Sequence, residues 1–314
     1  IKSLKKIFAN MLRNINLYYN YSMEIFTKLN NNPDLSIALG YFDGMHLGHR
    51  AVIKSAVDFA KKNNLKSAVI TLKEHPYCYL KGVCPKYILQ NREEKFEECG
   101  IDFLYKLDFD EHLKNTDAKT YLKNILIKNF SPKAISTGFN HYFGANQSGN
   151  AEFLKLNSTE YGYEYFEIQP EKYNGKIISS SAIRNYLQNG EIEPANLMLG
   201  SKFSVSGKVV EGQKLGRQIG FRTANIVYPP KLIDIPFGVY SVETKFGKGI
   251  ANFGFHPTVN RLNIPVLEVH ILNFDKDIYG QIINVEFEKM IRKEQKFASL
   301  DELKNQIAKD IEQI

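Results

Sequence analysis

The sequence predicts an α/β chain in two domains, a parallel-sheet half followed by a small antiparallel β-barrel with a terminal helix. Three observations predict it. Strands and helices alternate from residue 36 to about residue 190, the pattern of a parallel sheet with helices on both faces. Near Gly200 the runs become short, β-rich and punctuated by glycine or proline, which suits a compact barrel. Ser299-Leu-Asp-Glu302 is a capping box, and the helix it opens repeats Leu303, Ile307 and Ile311 at four-residue spacing, so one face should pack on that barrel. The expected division is 23–190 for the first domain, 191–200 as a connecting segment and 201–314 for the second. Residues 1–22, basic and rich in Asn and Tyr, are expected to be a poorly ordered extension.

The elements follow in order. Residues 35–39 are an apolar run bounded by a Gly-rich turn and read as a buried strand. Residues 50–63 read as an amphipathic helix with Val52, Ile53, Ala56, Val57 and Ala60 on one side. Further strands are expected at 65–72, 103–107 and 133–137. Helices are expected at 92–99, before Gly100, and at 118–128. In parallel sheets ligands sit beyond the carboxyl ends of the strands, at a switch point. The turns after residues 39, 72 and 137 lie at such ends. In the second half, residues 203–210, 238–244, 266–272 and 283–287 read as barrel strands. There is no internal repeat and no low-complexity tract.

Composition bounds the partners. The 314 residues are 43% hydrophobic and 24% charged, an ordinary globular balance. The formal charge of +7 and pI near 9.0 fit an anionic partner without choosing between nucleotides, nucleic acid and an acidic surface. The longest apolar runs are far shorter than a membrane span, and residues 1–22 lack the apolar core of a secretory signal. Cys78, Cys84 and Cys99 make no disulfide framework and no Cys-x-x-Cys pair, so a reducing, cytoplasmic setting is expected. Cys84 with nearby His75 completes no metal site.

Two glycine-rich stretches carry the chemistry. The first is Gly40-Tyr-Phe42-Asp-Gly44-Met-His46-Leu-Gly48-His49, between the first strand and the first helix. A helix N-terminus offers unpaired N–H groups and partial positive charge to an anion. Gly44 and Gly48 lack a Cβ and let it approach, and two imidazoles on one face can donate to a phosphate whose charge builds up during transfer. Ser179-Ser180-Ser181-Ala-Ile-Arg184 offers cap hydroxyls, a second helix N-terminus and a guanidinium for phosphate oxygens. The second glycine-rich stretch runs from Gly207 through Gly212, Gly216, Arg217 and Gly220 to Thr223-Ala-Asn225. Such loops let backbone N–H groups surround a phosphate, and this one is not a Walker loop because Gly-Lys-Ser/Thr is missing.

The first stretch resembles the His-x-Gly-His signature of the nucleotidyltransferase superfamily. Its longer form resembles one branch, the bacterial bifunctional riboflavin kinase/FAD synthetase family. Thr71-Leu-Lys-Glu-His75-Pro76, Gly138-Phe-Asn140-His141-Tyr-Phe-Gly144 and Ile178-Ser-Ser180-Ser181-Ala-Ile-Arg184 are similar to that family's adenylyltransferase motifs. His141 stands where Phe is usual, and Ser181 replaces a Thr. The second glycine-rich stretch resembles the flavokinase pattern Gly-x-x-x-Gly-Arg-x-x-Gly-Phe-Pro-Thr-Ala-Asn, with Arg222 in place of the proline. Gly238-Val-Tyr, Ala251 through Val259, Leu267-Glu268-Val-His270, Asp277-Ile-Tyr-Gly280, Ile291 through Phe297 and Leu300-Asp-Glu-Leu follow the family in order.

The resemblance implies phosphorylation of riboflavin to FMN, then adenylylation of FMN to FAD with release of pyrophosphate, from two ATP and with Mg²⁺. His46 and His49 would contact the reacting phosphates, with Gly40, Phe42, Gly44 and Gly48 shaping that turn. Asn140 would help place substrate, and Ser180, Ser181 and Arg184 would hold ATP. In the second half Gly207, Gly212, Gly216, Arg217 and Gly220 would surround phosphate, Thr223 and Asn225 would hold the metal, and Glu268 would be the base. Two alternatives are kept. One is an adenylyltransferase whose kinase half is impaired by Arg222. The other is a basic nucleic-acid-binding or regulatory protein on the same fold, against which stands the absence of an arginine-rich stripe with interleaved aromatics. The expected partners are small molecules, without nucleic acid or membrane, for a monomer or weak homo-oligomer.

Overall fold

The computed structural model describes residues 23–212, 216, 220–255 and 265–314, so the expected extension 1–22 lies outside the described residues. The chain divides into two compact units. One comprises the described residues up to 84 together with 91–170, and the other comprises 85–90 together with 171–314.

The first unit is built on six strands: β1 (Glu24–Phe26), β2 (Leu35–Leu39), β3 (Lys66–Leu72), β4 (Phe103–Leu107), β5 (Ala134–Gly138) and β6 (Glu164–Ile168). Their order is β1-β4-β3-β2-β5-β6, and every neighbouring pair is parallel. All five residues of β2 are buried, which is why it reads as a continuous apolar run rather than an alternating one. The chain winds from β2 toward β3 on one side and returns to β5 on the other, so the switch point lies between β2 and β5.

Helix α1 (Leu47–Lys62) packs its apolar face on β2, β3 and β5. Val52, Ile53, Ala56, Val57 and Ala60 are buried at the expected spacing. Ile53 is fully buried, and truncating such a residue to Ala costs about 2–5 kcal/mol. The helix begins three residues earlier than the sequence suggests. His46 takes the N-cap position with extended backbone, a role its side chain fills by accepting the His49 N–H. Helices α2 (Pro76–Lys81), α3 (Arg92–Glu98) and α4 (Ala151–Tyr161) complete the labelled helices of this unit. The expected helix at 118–128 is present, but its centre, Tyr121–Ile127, is π-helical, and it ends at Ser131 in the left-handed region.

Cys78 and Cys84 are joined by a disulfide, against the expectation of free thiols. Helix α2 ends on Gly82 at φ 66°, and the reversal brings the two residues together. Cys99 is free. Among the described residues, one group of possible metal ligands gathers, Glu74 with these two cysteines, and its sulfurs are spent on the bond.

The second unit is a closed barrel of β7 (Ser204–Val210), β8 (Ala224–Val227), β9 (Gly238–Thr244), β10 (Gly247–Phe255), β11 (Pro265–Ile271) and β12 (Ile282–Lys293), in the order β7-β8-β11-β10-β9-β12. All pairings are antiparallel, and β12 closes on β7. Helices α5 (Ser180–Gln188) and α6 (Ile192–Leu199) belong to this unit, so the observed division falls about twenty residues before the expected one. The reason is packing: Ile178, Ile183 and Leu187 share one core with Phe203, Ile226 and Phe287 of the barrel unit. Residues 85–90 join the same unit through Ile88 and through paired backbone bonds of Tyr87 with Lys231 and Ile233.

Helix α7 (Leu300–Ile311) is capped as expected. Ser299 Oγ accepts the Glu302 N–H at 3.2 Å, and the Glu302 carboxylate accepts the Ala298 N–H at 2.9 Å. Its fully buried residue is Asp310, whose carboxylate pairs with Arg292 of β12 at 2.8 Å. Leu303 and Ile307 face a cavity shared with the barrel.

Candidate functional site

The first site lies where β2 runs into α1. Phe42 (φ 57°), Gly44 (φ 76°) and Met45 (φ 47°) all stand in the left-handed region, giving a tight turn that Gly44 adopts without a Cβ penalty. His46 and His49 stack with ring centroids 3.5 Å apart, and the buried Phe42 ring meets His49 edge-on at 5.5 Å. A Cβ on Gly48 would meet the His46 ring at 3.3 Å, and one on Gly40 would meet Phe42 at 2.9 Å. Both glycines therefore make room for the rings that hold the histidines.

Burial dominates the electrostatics. It pushes the His46 imidazole down to about 4, with Asp43 opposing. It also drives His49 well below its usual range, aided by His46 and the Arg92 guanidinium and opposed by a hydrogen bond to the Asp43 backbone. Both rings are neutral at neutral pH. His46 Nδ1 accepts the His49 N–H at 3.3 Å, so its proton sits on Nε2, which is a donor. His49 Nδ1 is buried without a hydrogen-bond partner in the structure. A buried imidazole nitrogen left in that state calls for a water, an ion, strain or a functional role to account for it.

Beside this turn is a cavity of about 560 Å³, walled by Gly40–Tyr41, Thr71–Leu72, His75–Tyr77 and residues 141–147. It opens at the carboxyl ends of β2, β3 and β4. His141 forms part of the wall, stacked on Phe143 at 5.7 Å, and burial lowers its pKa to about 4. Asn140 stands exposed in the turn just before that wall.

Arg92 was not singled out from the sequence. Its guanidinium donates to the carbonyls of Tyr41 and Leu72, the latter at 2.8 Å, and lies 4.3 Å over the Tyr41 ring. It ties the ends of β2 and β3 together and brings positive charge to the histidine turn. A lone Arg in a polar helix gives no sequence signal for this.

Ser180, Ser181 and Arg184 belong to the second unit, on the first turns of α5. The cap is Ser179, whose Oγ accepts the Ala182 N–H at 3.2 Å. Arg184 donates to the Lys86 carbonyl at 2.5 Å.

The barrel carries two cavities. One, of about 260 Å³, lies between residues 222–225 with Gly212 on one side and residues 274–279 on the other. The second, of about 250 Å³, lies between the barrel and α7 and is lined by Glu268, Asn252, Arg292, Phe297 and Leu303. Thr223 and Asn225 line both. The strand register explains the polar row in the second cavity: Asn225 pairs with Glu268, Glu268 with Asn252, Asn252 with Val239 and Val239 with Arg292. The carboxylate of Glu268 is thus borne between two carboxamide-bearing residues. Asn252 was missed because register across three strands is not visible in a linear sequence.

The glycines of this half divide by role. A Cβ on Gly212 would meet the Asn225 carboxamide at 2.5 Å, so that backbone lies directly on Asn225. Gly207 lies against Ile226 and Gly216 against the Phe221 carbonyl, both packing positions, and Gly220 turns the chain at φ 93°. Arg217 and the expected motif residues His256 to Val259 lie outside the described residues. Asn225 is buried, and its Oδ1 has no hydrogen-bond partner in the structure. With the Thr223 hydroxyl beside the same cavities, this is an oxygen donor set that fits Mg²⁺.

Comparison with known proteins agrees with both halves. A family model described as FAD synthetase matches residues 28–182, and one described as riboflavin kinase matches residues 199–314. The bifunctional riboflavin kinase/FMN adenylyltransferase of Escherichia coli (strain K12) is 36% identical over 282 residues, covering 87% of this chain and 90% of the relative. Those of Bacillus subtilis (strain 168) and Buchnera aphidicola subsp. Schizaphis graminum are 36% and 37% identical over 87% and 91% of this chain, and over 89% and 94% of their own. A crystal structure from Streptococcus pneumoniae named a macrolide-efflux protein superposes with a TM-score of 0.82 at 31% identity, over 92% of this chain and 98% of that one. That name is said of that protein; among the described residues here, no helix is long and apolar enough to cross a membrane. With both domains matched in order and relatives above 30% identity over most of their length, the chain belongs to the bifunctional riboflavin kinase/FMN adenylyltransferase family.

Proposed function

We propose that the two steps of flavin cofactor synthesis are divided between the two sites, riboflavin being phosphorylated to FMN in the barrel and FMN adenylylated at the histidine turn. The two-step synthesis follows from the two matched domains and from the bifunctional relatives. One observation carries the assignment in the barrel: Thr223 and Asn225 line both cavities, which is where a nucleotide in one and an acceptor in the other must meet.

In this reading ATP lies between residues 222–225 and 274–279, and the cavity under α7, with Val239, Ile250, Phe297, Leu303 and Ile307 beside its polar row, takes the flavin ring. Glu268 takes the proton of the ribityl 5′-hydroxyl as its oxygen bonds to the γ-phosphorus, and ADP leaves. Thr223 and Asn225 hold Mg²⁺, which when bound neutralises charge on the phosphates. In the first unit the flavin lies in the cavity beside Tyr41, and an FMN phosphate oxygen attacks the α-phosphorus of a second ATP. The bond to pyrophosphate breaks, and no covalent enzyme intermediate forms. Neutral His46 donates from Nε2 to the phosphoryl oxygens as negative charge builds up. Gly40, Phe42, Gly44 and Gly48 set that geometry, Asn140 helps place substrate, and the Ser180, Ser181 and Arg184 assignment to ATP rests on the resemblance of their motif. We assign the enzyme to the cytoplasm, as a monomer or weak homo-oligomer acting on small molecules without a nucleic-acid partner.

The test is a division of activities. Glu268→Gln should lower FMN formation from riboflavin by about a hundredfold or more and leave FAD formation from FMN intact. His46→Ala with His49→Ala should do the reverse. A variant pair that fails to separate the two activities contradicts the assignment.

A further inference from the structure

Residue 222 is exposed, yet both its ends are committed. The Arg222 guanidinium donates to the Asp275 carbonyl at 2.5 Å, and the Arg222 carbonyl accepts from His270 Nδ1 at 2.8 Å. A carbonyl can only accept, so the His270 proton sits on Nδ1. The Phe221 ring stands edge-on to His270 at 5.3 Å, which fixes the residue before it in the chain as well. The Arg222 side chain is spent on a backbone acceptor. The two bonds hold different ends: the His270 bond ties the Arg222 backbone to the neighbouring strand β11, and the Asp275 bond crosses the cavity. Arg222 leads into Thr223 and Asn225 on one wall of the nucleotide cavity, and Asp275 lies within the turn that carries Phe274, Lys276 and Asp277 on the other. Asn273, at φ 55°, reverses the chain at the start of that turn.

We propose that Arg222 is a positioning residue of the kinase site, a clasp that fixes the separation of the two walls of the nucleotide cavity. The inference rests on reading that cavity as the ATP site. Proline at 222 would stiffen its own φ and the residue before it, but it carries no donor for Asp275. Arginine reaches the same order by a bond across the cavity instead of by a ring in the chain. On this account Arg222 does not impair the kinase.

The test uses the full-length protein with Arg222→Ala and Arg222→Pro. Losing one such hydrogen bond predicts a KM for ATP in riboflavin phosphorylation raised by roughly fivefold in both variants, with kcat within about twofold. FAD formation from FMN should not change. In the ligand-free protein, amide exchange over residues 272–279 should quicken, which separates a clasp from a direct phosphate contact. Unchanged KM and unchanged exchange overturn the proposal. A raised KM with unchanged exchange, shrinking as salt increases, also overturns it and makes Arg222 a phosphate-binding cation. A parallel fall in both activities with a lower Tm overturns it in favour of fold damage. Asn225→Ala is the control on the site: intact riboflavin phosphorylation there removes the ATP-site reading, whatever the exchange data show.

Discussion

Gly48→Ala tests the geometry of the histidine turn by adding one methyl group. Gly48 lies in the first turn of α1, and no left-handed φ prevents an Ala there. Its Cβ would stand 3.3 Å from His46 Cε1 and 3.4 Å from Nδ1. The ring must give by a few tenths of an ångström, yet His46 is only 5% exposed and stacked on His49. The His49 N–H bond to His46 Nδ1, already 3.3 Å, is pushed to the limit of hydrogen bonding. Two stability effects oppose each other. Replacing Gly within a helix contributes about 0.5–1 kcal/mol, and weakening the cap costs about 0.5–2 kcal/mol. The net change in Tm is therefore small. Activity has no such compensation, because the displaced ring carries the phosphate donor. Complete loss of a donor in such a site costs about a hundred- to a thousandfold, so a misaligned one should cost about ten- to a hundredfold in FAD formation from FMN. FMN formation from riboflavin, measured in the same preparation, should be unchanged. FAD formation within about twofold of the unmodified protein would refute the placement of His46 as a phosphate donor.

Further predictions concern pH and the terminal helix. His46 has a folded pKa of about 4 against 6.5 unfolded, so between those values the unfolded state binds more protons and stability falls as pH falls. The contribution is fully present above pH 6.5 and amounts to about 3 kcal/mol lost on reaching pH 4. His46→Asn keeps a capping side chain and should flatten that slope in denaturant titrations of the first unit. Asp310→Ala leaves Arg292 without its buried partner and should destabilise the barrel unit by about 3–5 kcal/mol, read by chemical denaturation. The first unit should unfold as before.

Much of the fold was legible because its elements carry clean periods. The buried run of β2, the apolar face of α1 and the capping box at Ser299 appear where their patterns put them. The start of α1 was misplaced because His46 is not among the usual capping residues, and only the structure shows its ring accepting the His49 N–H. The allegiance of α5 was invisible for a different reason: Ile183 and Leu187 require burial, but nothing in them says against which core. Within the candidate sites, residues close in sequence, such as His46 with His49 or Thr223 with Asn225, lie together as their spacing suggests. Those joined only by folding, such as Arg92 at the carbonyls of Tyr41 and Leu72, Asn252 beside Glu268, and Cys78 with Cys84, were not visible in the sequence.

The most direct measurement of the central claim is chromatographic separation of the flavins formed by one purified preparation. Parallel reactions start from riboflavin and from FMN, each with ATP and Mg²⁺. FAD is expected from both, with FMN appearing before FAD in the riboflavin reaction. FAD from FMN alone would contradict a working kinase site and leave only the adenylyltransferase. No flavin product from either start would contradict the assignment of both sites.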